Sequence, residues 1–291
     1  MLFMTDYDRT HTPKPDWLKI KLPKGENFLK VKGVLEERGL HTICSSGKCP
    51  NMGECWNAGT ATFMILGDIC TRSCKFCATK SGKPLPADES ESEKIAQSIK
   101  LLKLKHVVIT SVDRDDLADG GSSIWAATIW EIKRTNPGTT IETLIPDFGG
   151  KPELIQHVID AAPDIISHNL ETVRRLTLLV RSAARYDRSL KVIKQVAASG
   201  IPAKSGIMVG LGESGSEVLE VMDDLRAAEC SILTIGQYLQ PTPMHLPVIE
   251  FIHPDQFEKY RIAGLKKGFT HVESKPLVRS SYHAEKHVKQ Q

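Results

Sequence analysis

The chain has 291 residues, 41% hydrophobic and 25% charged, a length that suits one large domain of ordinary globular composition. Its 38 basic and 35 acidic residues leave a net charge of +3, which excludes a strongly basic nucleic-acid binder but not a local basic patch. No apolar run reaches the length of a membrane span, and the opening MLFMTDYDRTHTPKPDW lacks the continuous apolar stretch of a secretion signal, so a cytoplasmic protein is expected.

Three regions follow in chain order. Residues 1–60 are rich in Pro and Lys, weakly periodic, and read as an N-terminal extension carrying a first cysteine cluster. Residues 61–240 alternate short Ile/Val/Thr-rich runs with amphipathic stretches. Strands are predicted over 61–67, 106–113, 139–146, 164–172, 202–212 and 231–239, each bounded by Gly, Pro or Asp. Helices are predicted over 91–104, 122–135, 152–162, 188–199 and 216–228, where apolar residues recur at three and four spacings, as at Ile95, Ile99 and Leu102. Residues 241–291 form a C-terminal extension with a further helix over 254–268, opened by Pro254, and then a tail, HVESKPLVRSSYHAEK. Alternating strands and helices imply a parallel sheet, because parallel strands need a helical crossover. Six such units predict a partial, open (β/α)6 barrel of the TIM type, with an open doubly wound sheet as the alternative.

Six of the seven cysteines fall between Cys44 and Cys77, and clustered thiols in such a chain argue for metal ligation over disulfides. Cys70, Cys74 and Cys77 are spaced C-x3-C-x2-C after the first predicted strand, which places them in the first βα loop, on the rim where barrels carry their chemistry. Three thiolates hold three irons of a 4Fe-4S cluster and leave the fourth iron open to a small molecule; a zinc site with a distant fourth ligand is the alternative. Cys44, Cys49 and Cys55 form a second triad without the paired C-x2-C knuckles of a zinc ribbon, so a second cluster and a structural zinc both stand. Cys230, alone before an apolar strand, reads as a core residue.

CTRSCKFC resembles the cluster motif of the radical S-adenosylmethionine (SAM) superfamily. Together with CPNMGECW, GTATFMILG, VVITSVDRDDL, LIPDF, SHNLET, KSGIMVGLGE, LTIGQYLQPT, HLPV and VRSSY, in order from Trp17 to Ala284, the chain resembles the lipoyl synthase family. The resemblance implies a barrel of the radical SAM type and a sulfurtransferase that inserts two sulfur atoms, at carbons 6 and 8, into an octanoyl chain on a carrier lysine. It implies two 4Fe-4S clusters. One, on Cys70, Cys74 and Cys77, binds and cleaves SAM; the other, on Cys44, Cys49, Cys55 and Ser281 (chosen over Ser280), is auxiliary and sacrificial. A serine alkoxide is a harder ligand than thiolate and the easier one to displace from an iron that must leave. Asp113, Asn169, Glu171, Arg181, Lys204 and Met208 are the implied SAM contacts. Asn169 and Glu171, two apart on a predicted strand, share a face there.

The implied partners are an octanoylated lipoyl carrier domain or glycine-cleavage H protein, an electron donor such as ferredoxin or flavodoxin, and an iron–sulfur cluster carrier. Neither a nucleic acid nor a membrane is implied. Lys14, Lys19, Lys21 and Lys24 are candidates for docking an acidic carrier, or are merely a solvated basic arm. Ser45 and Ser46 stand where many members are acidic, Lys75 where Pro is common, and Lys275 before Pro276 where Gly is usual; SAARY after Arg181 also departs from the commoner pattern. No cluster ligand is lost. Another radical SAM sulfur-inserting enzyme and a non-catalytic zinc-stabilised module are the competing readings.

Overall fold

The structure, a computed structural model, describes residues 13–20, 25–58 and 60–288. Helix α1 (Glu26–Glu37) precedes the short strand β1 (His41–Thr42), helix α2 (Ile43–Ser46) and helix α3 (Met52–Asn57). Strand β2 (Thr62–Ile65) opens the barrel, and a two-stranded excursion, β3 (Ile69–Cys70) and β4 (Lys80–Ser81), follows it. Then come α4 (Glu91–Leu102), β5 (His106–Ser111), α5 (Ser122–Thr135), β6 (Thr140–Leu144), α6 (Pro152–Asp160) and β7 (Ile165–Ser167). The remainder is α7 (Thr177–Val180), α8 (Tyr186–Ala198), β8 (Ala203–Val209), α9 (Gly215–Ala227), β9 (Ile232–Gln237), α10 (Pro254–Lys266) and β10 (His271–Ser274).

The main sheet runs β1-β2-β5-β6-β7-β8-β9-β10, with β1 antiparallel to β2 and every other pairing parallel. Every strand of this sheet neighbours the next in sequence. A doubly wound sheet would reverse its order at a switch point, so the barrel reading holds and the alternative falls. A seventh parallel strand, β10, joins the six expected ones. The sequence reads as tail there, because four residues with a charged centre, HVES, carry almost no strand signal.

Local rules explain the helices. Helix α9 is closed by a capping box between Ser214 and Glu217, and α6 and α10 carry Pro at their starts, where no N–H is needed. The extension is more regular than its sequence suggested: Phe28, Val31, Val34 and Leu35 bury one face of α1, and the Phe28 ring stacks on Trp56 of α3 at 5.2 Å.

Inside the barrel the strands alternate, so Lys204, Gly206 and Met208 share one face of β8, and Glu142 and Leu144 one face of β6. After β10 the chain doubles back: the Gln237 amide donates to the Pro276 carbonyl at 3.0 Å, and the tail crosses β9. At Gly236 an added Cβ would collide with the Val278 carbonyl. Only glycine lets the tail lie this close to the strand, and so carries Arg279, Ser280 and Ser281 into the barrel.

Candidate active site

Cys70, Cys74 and Cys77 lie in the loop between β2 and α4. The backbone amides of Arg72 and Asp113 point at Cys70 Sγ from 3.4 and 3.3 Å, donors that favour a thiolate. Without a metal, burial outweighs them and pushes the Cys70 thiol up to about 11; Cys77 is raised by burial as well. Ser182 Oγ accepts from the Ser73 amide at 3.2 Å and sits 3.7 Å from Cys74 Sγ. His245 Nε2 donates to the Cys77 carbonyl at 2.8 Å, with the ring fixed through Nδ1 by Thr242.

Arg72 ties this loop to the strand ends. Its guanidinium, 7% exposed, reaches Asp113 at 3.1 Å, Asp115 at 2.7 Å and Asp147 at 2.9 Å. Burial pushes the Asp113 carboxyl up to about 6 against the pull of Arg72. Burial opposes Asp147 too, yet the charge of Arg72 holds it below the usual carboxylate range. Removing the cation therefore strands buried carboxylates. Arg72→Gln is expected to cost the apo protein about 3–5 kcal/mol in urea denaturation, with Arg72→Lys recovering only part, because an ammonium lacks the planar fork that reaches all three carboxylates.

The second triad is spread over α2, its following loop and α3. The Cys49 amide donates to the Cys44 carbonyl at 2.9 Å, and the Cys55 amide to Asn51 at 2.9 Å. All six thiols are free of disulfides. Burial and the nearby Cys44 push Cys49 up to about 11; burial, Cys49 and Cys44 push Cys55 up to about 12. Three mutually repelling, desolvated thiols are costly to ionise alone, and a bound metal that deprotonates them removes that cost. The C-terminal segment closes over them: Asn51 Nδ2 donates to the Leu277 carbonyl at 2.7 Å and the Tyr282 hydroxyl to Glu54 at 3.1 Å. Cys44, Cys49, Cys55, Arg279, Ser281 and Tyr282 line one small cavity. Ser280 is turned away from it and donates to Asn169 Oδ1 at 3.3 Å.

A far larger cavity, of about 710 Å3, fills the upper barrel. Cys70, Cys74 and Cys77 line it, and so do Cys44, Cys49 and Ser281 from the other triad. Among the described residues no three His, Cys, Asp or Glu side chains are grouped to hold one metal ion. A four-iron cluster makes no such demand, since each thiolate takes a separate iron.

Asp113, Asn169, Glu171, Arg181 and Met208 also line this cavity. Asn169 and Glu171 do so in a different way from the one predicted. The strand stops at Ser167, and Glu171 has φ +67°, a left-handed turn that breaks the two-residue alternation. Arg181 is seated by donating to the Leu170 carbonyl at 3.3 Å and Ser189 Oγ at 2.9 Å. Lys204 is not brought to the site. Its side chain is wholly buried below the cavity and ion-paired with Glu142 at 2.8 Å, so it has no free charge for a SAM carboxylate. Cys230 is fully buried in the apolar core. Lys14 and Lys19 lie beside the cavity, with Lys19 paired to Asp16 at 2.6 Å; Lys21 and Lys24 are outside the described residues.

The sequence profile of the Radical SAM superfamily matches residues 64–225, and that of the N-terminal domain of lipoyl synthase matches residues 5–49. The chain is 68% identical over 279 residues to the lipoyl synthase of Phocaeicola vulgatus, covering 96% of this chain and 98% of that one. It is 64% identical to the lipoyl synthase of Bacteroides fragilis, over 95% and 96% of the two chains. The chain belongs to the lipoyl synthase family. Among solved structures, TYW1 with a lysine–pyruvate adduct bound superposes with a TM-score of 0.56 at 12% identity, over 82% of this chain and 89% of that one, a likeness of fold alone. As a member of the lipoyl synthase family the chain is a radical SAM sulfurtransferase. Among the described residues no helix is long and apolar enough to cross a membrane.

For this lipoyl synthase family member, sequence reasoning missed Arg72, Asp115, Asp147, Ser182 and His245. Arg72 stands inside the cysteine motif, and VDRDDL and LIPDF supply its carboxylates, so an unpaired Arg among thiols was the one available signal. Nothing in the sequence places His245, 168 positions away, against Cys77.

Proposed function

We propose that the two cysteine triads divide the family's reaction between them across one cavity. Cys70, Cys74 and Cys77 hold the 4Fe-4S cluster that binds SAM, and Cys44, Cys49, Cys55 and Ser281 hold the auxiliary, sacrificial one. The observation that carries this reading is the common cavity: a substrate chain lying in it is within reach of both triads and of Ser281. When bound, the first cluster and SAM supply the one-electron chemistry that opens an unactivated C–H bond, which no side-chain acid or base can do. When bound, the second supplies the two sulfur atoms.

The chain's own residues prepare the cavity for this. Two backbone amides steady Cys70 as a thiolate, and Arg72 keeps the loop in place before any cluster arrives. Asp113 would receive the SAM ammonium, Asn169 and Glu171 the ribose, Arg181 the carboxylate and Met208 the adenine; Lys204, which does not line the cavity, has no part in this set. Burial raises the Glu171 carboxyl and lowers the Arg181 guanidinium, and the charge of each opposes the shift of the other. Ser281 would be the fourth auxiliary ligand, a harder donor than thiolate and so the most easily displaced of the four.

The substrate is an octanoyl-lysine on a lipoyl carrier domain or a glycine-cleavage H protein, with Lys14 and Lys19, beside the cavity, toward the carrier. Ferredoxin or flavodoxin supplies electrons, and an iron–sulfur carrier rebuilds the spent cluster. Iron, zinc and acid-labile sulfide are to be counted after anaerobic reconstitution. About eight irons with matching sulfide are expected. About four would remove the sulfur donor, and zinc with negligible iron would overturn both assignments.

A further inference from the structure

Beneath the cavity, at the N-terminal ends of the barrel strands, a cluster of ionisable side chains lies outside the site just described. Lys204 Nζ sits 2.8 and 2.9 Å from the two Glu142 oxygens, and Ser167 Oγ donates to Glu142 at 3.0 Å. Both charged side chains are 0% exposed. A buried ammonium seeks three acceptors, and a carboxylate with one oxygen already shared leaves it wanting another. His287 provides it, with Nδ1 3.3 Å from Lys204 Nζ.

An ammonium only donates, so His287 accepts through a bare Nδ1 and carries its proton on Nε2. Burial, reinforced by the charge of Lys204, pushes its pKa down to about 3, and the ring is neutral at ordinary pH. His106 and His271 complete the floor: His106 is engaged through Nδ1 with Thr140 at 2.8 Å, and the His271 ring lies 5.5 Å from that of His287.

His287 stands six residues beyond Ser281 in the sequence. Between them the tail forms a 3-10 turn, Ala284–Lys286, against β5, with Ala284 fully buried and His287 5% exposed. On the other side of Ser281 the tail is fixed where Val278 lies on Gly236. Ser281 is thus held between two anchors. A segment that loses one of its two anchors loosens, and a hydroxyl, the weakest donor of the four, is the one that most needs to be held close.

We propose that His287 is a positioning residue for the auxiliary site: by capping the buried Lys204–Glu142 pair it clasps the C-terminal segment to the barrel floor and presents Ser281 to Cys44, Cys49 and Cys55. This rests on the reading of Ser281 as the fourth ligand.

The test uses the full chain carrying Cys70→Ala, Cys74→Ala and Cys77→Ala, in which only the auxiliary site loads. Reconstituted protein is challenged with an iron chelator, and iron release is followed by the loss of cluster absorbance. Adding His287→Ala is expected to speed release about tenfold, the scale of a lost hydrogen bond to a buried charge. His287→Asn, which keeps an acceptor where Nδ1 stood, is expected to restore slow release. In the apo chain, His287→Ala should speed amide exchange of residues 281–288 while β5 to β9 stay protected, which separates unclasping from misfolding. Unchanged release in His287→Ala, or no rescue by asparagine, overturns the clasp. If the chain with native His287 loads no iron in this background, the auxiliary assignment itself fails, and the clasp with it.

Discussion

Cys77→Ala is expected to abolish SAM cleavage and lipoyl formation together, while about four irons remain bound at the other triad. The three ligands proposed for the first cluster come from one loop, and among the described residues no fourth thiol lines the cavity beside them apart from Cys44 and Cys49 of the second triad. A missing thiolate leaves an iron without a protein ligand, and the position open for SAM is no longer unique. Since no side chain replaces the lost chemistry, the rate should fall by about a million-fold or more, the lower range of what enzymes supply over the uncatalysed reaction. The loop itself should persist. Arg72 still bridges Asp113, Asp115 and Asp147, and the Cys77 carbonyl that His245 binds is backbone and survives the substitution. The measurement is 5′-deoxyadenosine per chain under reducing conditions, with Cys230→Ala as the control, since that thiol sits in the core and its pKa is pushed to about 12 by burial. Any 5′-deoxyadenosine from the Cys77 variant above the no-enzyme level would remove the loop from its assigned role.

What the sequence discloses and what it hides divide along physical lines. Helix α5 falls on the predicted 122–135 because its apolar stripe repeats cleanly, and five of the six central strands fall within three residues of their predicted spans, β7 stopping early at Ser167. Strand β10 and helix α1 were missed for opposite reasons. The first is too short and charged to register, and the stripe of the second is diluted by Lys and Glu on its outer face. The cysteine triads were legible because thiols are rare and their spacing is local. The company they keep was not: Asn51 meeting Leu277 and Tyr282 meeting Glu54 span 226 and 228 positions, and nothing in one sequence reports such closure. Lys204 shows the same limit. Its place on β8 aims it inward, but the partner that neutralises it, Glu142, lies 62 positions away on another strand. An inward charge is a binding group or half of an ion pair, and only the strands around it decide which.

Cys49→Ala is expected to separate the two halves of the reaction. The variant should keep the first cluster and about four irons, still form 5′-deoxyadenosine, and make no lipoyl product. Cys49 is the thiol to choose because it lines both the small cavity and the large one and is only partly buried, whereas Cys44 is 5% exposed within the core and its loss would confound packing with ligation. The backbone around it is held independently: the Cys49 amide donates to Cys44, and Asn51 fixes the next turn to the Leu277 carbonyl. With two thiols and a hydroxyl left, the site has one soft ligand too few for a stable cluster, and the nearby Arg279, whose charge favours the thiolate of Cys49, no longer faces one. Product is to be read by mass on an octanoylated carrier, where each inserted sulfur is a discrete step, beside 5′-deoxyadenosine from the same reaction. Radical formation without sulfur gain places the donor at this triad. Sulfur insertion at the wild-type rate would mean that the atoms come from elsewhere, because a triad that has lost its cluster has none to give.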